Sequence, residues 1–191
     1  MESPDDSDSP FGVREYLQGQ VSQNPTLVSK LVSLPSGVDQ NVWVYEHTRQ
    51  ICIELNYFLG YLHAECTLES CPEMIVGEWR FLCAGHRPPR QCPALHYTVH
   101  TLDCAIETLA DVRQFPHLIE IPEPSVRALR DIARRFDRIF AHCYSNHRQT
   151  FQSFENHYHT YARFSLLIQH YNLVDEGSIT MPELARRYSM A

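Results

Sequence analysis

No stretch of this sequence carries the ~18 consecutive apolar residues that a membrane-spanning helix needs. The opening Met1–Pro10 (MESPDDSDSP) lacks the apolar centre of a secretory signal. It offers only Ser, Pro and acidic residues with nothing to bury, so a disordered acidic tail is expected there, ahead of one domain over residues 11–191. Positive charge is also short. Lys and Arg number 16 against 23 Asp and Glu, a net charge of −7 with a pI near 5.8, which argues against a general pull toward nucleic acid or anionic lipid. Local basic patches stay open. HExxH, GxSxG, a glycine-rich phosphate loop and a kinase signature are all missing, and so are internal repeats.

What the chain does have is an ordinary globular balance, 43% hydrophobic and 20% charged over 191 residues. That length suits one domain with a sizeable core. Seven cysteines (Cys52, Cys66, Cys71, Cys83, Cys92, Cys104, Cys143) make an odd number without an export signal. A reducing compartment follows, with metal binding or plain burial as the use of the thiols. Eleven histidines favour metal without locating it.

Apolar spacing predicts a mostly α bundle. Gly12–Leu34 reads as one or two short helices, and Asp39 as the cap of a long helix from about Val42 to His63. Val44, His47, Ile51, Leu55, Phe58, Leu59 and Leu62 recur there at three- and four-residue steps, marking one buried face. Ala64–Pro72 is a cysteine-bearing loop, and Glu78–Pro93 a small hairpin turning at Arg87–Arg90. Helices follow at about Ala94–Asp111, Ser125–Tyr144 and Tyr158–Leu173.

Two constellations could carry chemistry. Cys66 and Cys71, with His142 and His147, offer two thiolates and two imidazoles, a donor set zinc accepts tetrahedrally. The inner gap of about seventy residues excludes a nucleic-acid-reading zinc finger, whose gap is roughly a dozen. Spacing alone leaves a plain loop with free thiols and a helix with polar histidines equally open. Residues five apart point about 140° apart on an ideal helix, so His142 and His147 share a metal only if the helix ends or kinks near Ser145-Asn146. Both of those residues are weak helix formers.

The second constellation is arginine-based. Arg127, Arg130, Arg134, Arg138 and His142 fall opposite the apolar side of the third long helix, with Arg135 at the flank. Guanidinium forks match phosphate oxygens in pairs. The competing reading is a solvated charged face. Cys83, Cys92 and Cys104 read as small buried residues, and Asp175-Glu176-Gly177 lacks the acidic series of a calcium loop. Glu65 and Glu69 could serve a zinc hydrolase as base, but four protein ligands would leave no position for water, so the metal site reads as structural.

These ligand candidates, in this order and with these gaps, resemble the zinc site of the Mob/phocein family. The strings WVYEHTRQICIELN (Trp43–Asn56), EWRFLCAGHRPPRQCPA (Glu78–Ala94), HYTVHTLD (His96–Asp103), RRFDRIFAHCYSNHRQTF (Arg134–Phe151) and HYNLV (His170–Val174) resemble its phocein branch block by block. The resemblance implies a helical bundle with a small hairpin and one structural zinc (Zn2+) held by Cys66, Cys71, His142 and His147. It places a phosphopeptide-binding set at Arg134, Arg135 and Arg138, and implies no catalytic residues. The implied role is that of an adaptor, cytoplasmic with peripheral links to Golgi and endomembranes. The implied partners are a striatin-like scaffold, protein phosphatase 2A subunits and Ste20-type kinases. The alternative branch activates Dbf2-related kinases and carries an acidic residue just before the helix-opening Trp. Val42 stands there instead, beside Trp43.

Overall fold

The computed structural model describes residues 11–189; the expected tail at Met1–Pro10 lies outside them. Eight helices are present among the described residues: α1 Gly12–Gln23, α2 Val28–Val32, α3 Gln40–Leu62, α4 Ala94–Leu109, α5 Glu123–Asn146, α6 Arg148–Tyr158, α7 Thr160–His170 and α8 Pro182–Ser189. Two short strands, β1 Ile75–Val76 and β2 Trp79–Arg80, pair antiparallel.

α3 is the spine, packed against α1, α4, α5, α6 and α7. Asp39 starts it as expected, its carboxylate accepting from the Val42 N–H at 2.9 Å. Val44, His47, Ile51, Leu55, Phe58 and Leu62 are buried along one face, while Leu59 is half-buried at its edge. The apolar stripe of α5 (Val126, Leu129, Ala133, Phe136, Ile139, Phe140, Cys143) is buried throughout and joins the same core. Tyr45 on α3 ties to α4 by donating to the Leu109 carbonyl at 2.8 Å.

Five-residue α2 is far too short to persist alone. Its unpaired C-terminal carbonyls are met by side chains from elsewhere. Trp43 Nε1 and the Tyr171 hydroxyl both donate to the Val32 carbonyl, at 3.0 and 2.8 Å, and His47 Nε2 donates to that of Leu31 at 3.0 Å.

The hairpin is displaced from its expected place over Glu78–Pro93. Ile75 pairs with Arg80 and Val76 with Trp79, leaving Gly77-Glu78 as a two-residue turn. Gly77 sits at φ +56°, a left-handed conformation that glycine adopts without a Cβ penalty and that tight hairpins use. The Arg87–Arg90 turn closes only a single bridge, Cys83 to Arg90. Two helices went unanticipated. α6 is cut from α7 by His159 at φ +50°, and α8 buries little beyond Leu184 and Ala185.

Candidate metal centre and arginine cleft

α3 ends at Leu62, and the next residues wrap into a tight loop. The Cys66 N–H donates to the Leu62 carbonyl at 2.8 Å, keeping the first thiol just past the helix end. Thr67 and Ser70 then stitch the loop. Thr67 N–H donates to Ser70 Oγ at 2.9 Å, Ser70 N–H to Thr67 Oγ1 at 3.1 Å, and Ser70 Oγ to the Glu65 carbonyl at 2.6 Å. Short hydroxyl side chains suit this role because they reach neighbouring backbone groups without leaving the turn. The loop brings both thiols, Cys66 and Cys71, inward and buries them.

The histidines arrive from α5. His142 occupies its last turn, and His147 breaks the helix at φ −132°, ψ 48° before α6 begins. The break falls at the end of Ser145-Asn146, where a metal shared by both histidines would need it. The Nδ1–H of His142 donates to the Ile75 carbonyl at 2.8 Å, leaving Nε2 with its lone pair 3.7 Å from Cys66 Sγ. Nε2 of His147 lies 3.3 Å from Cys71 Sγ, and its Nδ1 sits 3.7 Å from the Glu65 carboxylate. The four ligand atoms lie within 4.8 Å of one another.

These separations suit a tetrahedral ion. With Zn–S about 2.3 Å and Zn–N about 2.1 Å, a tetrahedron spaces sulfur and nitrogen about 3.6 Å apart. The outer contacts also suit it, since carbonyl and carboxylate partners on the far ring nitrogens fix the tautomer that offers Nε2. Burial first, and neighbouring Cys71 second, push the Cys66 thiol up to about 12, and burial lowers both His142 and His147. The imidazoles are thus held toward the neutral form that coordinates, whereas a cation nearby would favour the Cys66 thiolate. A divalent ion balances two thiolates.

One and two turns back along α5, Arg138 and Arg134 line a cleft of about 320 Å³ with Trp79, Phe81 and residues 177–180. The Arg138 guanidinium lies 4.7 Å from the centre of the Phe81 ring and reaches the Tyr97 hydroxyl at 3.4 Å. Arg134 pairs with Asp131. Asp137, buried on the same helix, accepts the Thr180 N–H at 2.7 Å and so holds the opposite wall. Arg135 is half-buried and does not line the cleft, Arg130 pairs with Glu123, and Arg127 is exposed. His142, expected on the same polar face, is covered by the cysteine loop and β1.

Residues 20–182 match the Mob1/phocein family. The chain belongs to that family. Among similar proteins, "MOB-like protein phocein" of Caenorhabditis elegans is 40% identical over 181 residues, covering 94% of this chain and 81% of that one. "MOB kinase activator-like 4" of Drosophila melanogaster is 38% identical over 179 residues, covering 93% and 80%. This Mob1/phocein chain is mostly helical with one small antiparallel pair, and no helix among its described residues is long and apolar enough to cross a membrane. A second group, Cys83, His86, Cys92 and His100, also converges in it. Cys83 and Cys92 are buried, as expected of them, and what the sequence left unread is their convergence with His86 and His100, for which Cys83-x2-His86 is the one signal in the chain.

Proposed function

We propose that this chain is a non-catalytic adaptor that docks protein partners in a striatin-type phosphatase–kinase assembly. One structural zinc at Cys66, Cys71, His142 and His147 holds the docking fold together. The observation that carries the reading is the closed donor set: four buried protein ligands leave no position for a reacting water. Glu65, the candidate base of a zinc hydrolase, accepts from Thr150 Oγ1 at 2.8 Å and faces Nδ1 of His147, the side away from the ligand atoms. Zinc, when bound, supplies a cross-link between the α3–β1 loop and the α5–α6 junction. The protein's own residues then present the hairpin and the arginine cleft, with Arg134 and Arg138 as the phosphate-directed pair and Arg135 at its flank.

The partners proposed are a striatin-like scaffold, protein phosphatase 2A subunits and Ste20-type kinases, on the likeness to the worm phocein. The fly relative, named a MOB kinase activator-like protein, keeps a kinase-coactivator role in view. Against it stands Val42, 2% exposed at the start of α3, where an acidic side chain would have no water to face. Affinity purification of the tagged protein from its own cells, with identification of what accompanies it, separates the two. Striatin-like and phosphatase subunits support the adaptor reading; Dbf2-related kinases in their place overturn it.

A further inference from the structure

Cys83, His86, Cys92 and His100 repeat, in a different part of the molecule, the donor set of the first site. Their ligand atoms lie within 4.8 Å of one another. Cys83 Sγ is 3.5 Å from His100 Nδ1. Cys92 Sγ is 3.9 Å from the same nitrogen and 3.1 Å from His86 Nε2. These distances bracket the sulfur–nitrogen edge of about 3.6 Å that a zinc tetrahedron requires. The two imidazoles stand edge to face, 4.8 Å apart and nearly perpendicular, so neither stacks over the other's lone pair. We propose that this cluster is a second structural zinc site.

Three further observations support it. Residues 83–92 contribute almost nothing to the core, because only the two cysteines are buried and His86 is half-buried, while Ala84, Gly85 and 87–91 are exposed. Backbone pairing there is limited to the Cys83–Arg90 bridge, with N···O distances of 2.7 and 3.4 Å. Hydrophobic burial therefore cannot account for four ligand side chains from this loop and from α4 meeting at one point. The loop is also shaped to admit His100: a Cβ on Gly85 would stand 3.1 Å from the His100 Cβ and 3.5 Å from Cys83 Sγ. A side chain at 85 would press on the His100 Cβ, which would have to shift by a few tenths of an ångström. Lastly, two thiolates and two imidazoles form a soft, charge-balancing set that selects zinc over calcium or magnesium.

The alternative is a pair of thiol–imidazole hydrogen bonds with no ion. The second site would fix the segment after β2 against α4, and so steady Trp79 and Phe81, which wall the arginine cleft. It stands or falls independently of the adaptor reading.

Metal content of the purified full-length protein, measured per chain by mass spectrometry, tests the proposal. Two zinc ions per chain are expected in the wild type. His86→Ala/His100→Ala removes the half-buried members of the set and leaves the core untouched, and is expected to lose one ion while keeping wild-type helical circular dichroism. His147→Ala should lose the other. Trypsin adds a readout free of metal counting, because cleavage after exposed Arg90 should accelerate at least tenfold in the double variant. A single zinc lost in His147→Ala but kept in His86→Ala/His100→Ala overturns the proposal. So does a double variant that retains two ions with unchanged cleavage at Arg90.

Discussion

His47 and Arg163 are fully buried polar residues on neighbouring helices, and each makes a sharp demand on its surroundings. Burial first, and nearby Arg163 second, lower His47 to about 3. The folded value lies below the unfolded one of about 6.5, so the stability linked to neutral His47 is complete above pH 6.5 and drains away as pH falls toward 3. Between pH 7 and 4.5 the loss is expected to be about 2–3 kcal/mol. Urea titrations across that window should show a shallower pH slope in His47→Gln, which keeps an N–H for the Leu31 carbonyl but cannot titrate; equal slopes would refute the assignment. Arg163 pairs with Glu54, which also accepts from Thr160 Oγ1 at 2.7 Å. Glu54→Ala strands the guanidinium and should cost about 3–5 kcal/mol, whereas Glu54→Leu/Arg163→Met should cost far less. If the single and double variants are equally destabilised, packing rather than charge governs this position. The burial of His47 was legible from its helical step, but its partners and those of Arg163 were not, because a histidine on a buried face and an arginine in a mixed helix do not reveal what they meet.

At the scale of elements, α3 and α5 were readable because long amphipathic patterns repeat over several turns, and each error averages out. The hairpin was misplaced because its register depends on one glycine, Gly77, whose positive φ outweighs the β-propensity of Trp79–Leu82. The late helix expected at Tyr158–Leu173 is α7, which starts after the left-handed His159, whereas α6 over Arg148–Tyr158 was not read because only Phe151, Phe154 and Glu155 are buried along it. The convergence of Cys66, Cys71, His142 and His147 as a candidate donor set was legible from their residue types and spacing, and a shared metal would need the helix break that the chain makes between His142 and His147. Cys71→Ser or His147→Ala should lose the proposed zinc and lower thermal stability, with proteolysis starting in the 64–72 loop; a variant with unchanged metal content would refute the site. On α5, Arg134→Ala/Arg138→Ala removes two charge-assisted contacts, each on the order of 1.5–3 kcal/mol. Binding of a phosphorylated partner peptide should therefore weaken by ~100-fold or more, measured calorimetrically against the unphosphorylated form. Equal affinity for both peptide forms would reduce the cleft to ordinary surface.

For the whole molecule, the last of the contacts that close α2 comes from far along the chain, after those from nearby Trp43 and His47. The Tyr171 hydroxyl bonded to Val32 spans 139 positions, and the Glu54–Arg163 pair spans 109. On a ribosome adding roughly 5–20 residues per second, α2 emerges about 7–30 s before the tyrosine that holds its last carbonyl. During that interval Leu31 and Val32 lack their final cover, and the nascent amino-terminal helices form a sticky, unfinished surface. A growing chain of this design is expected to depend on a holding chaperone until α7 has cleared the exit tunnel, and a stall between α6 and α7 should leave α1 and α2 accessible to protease.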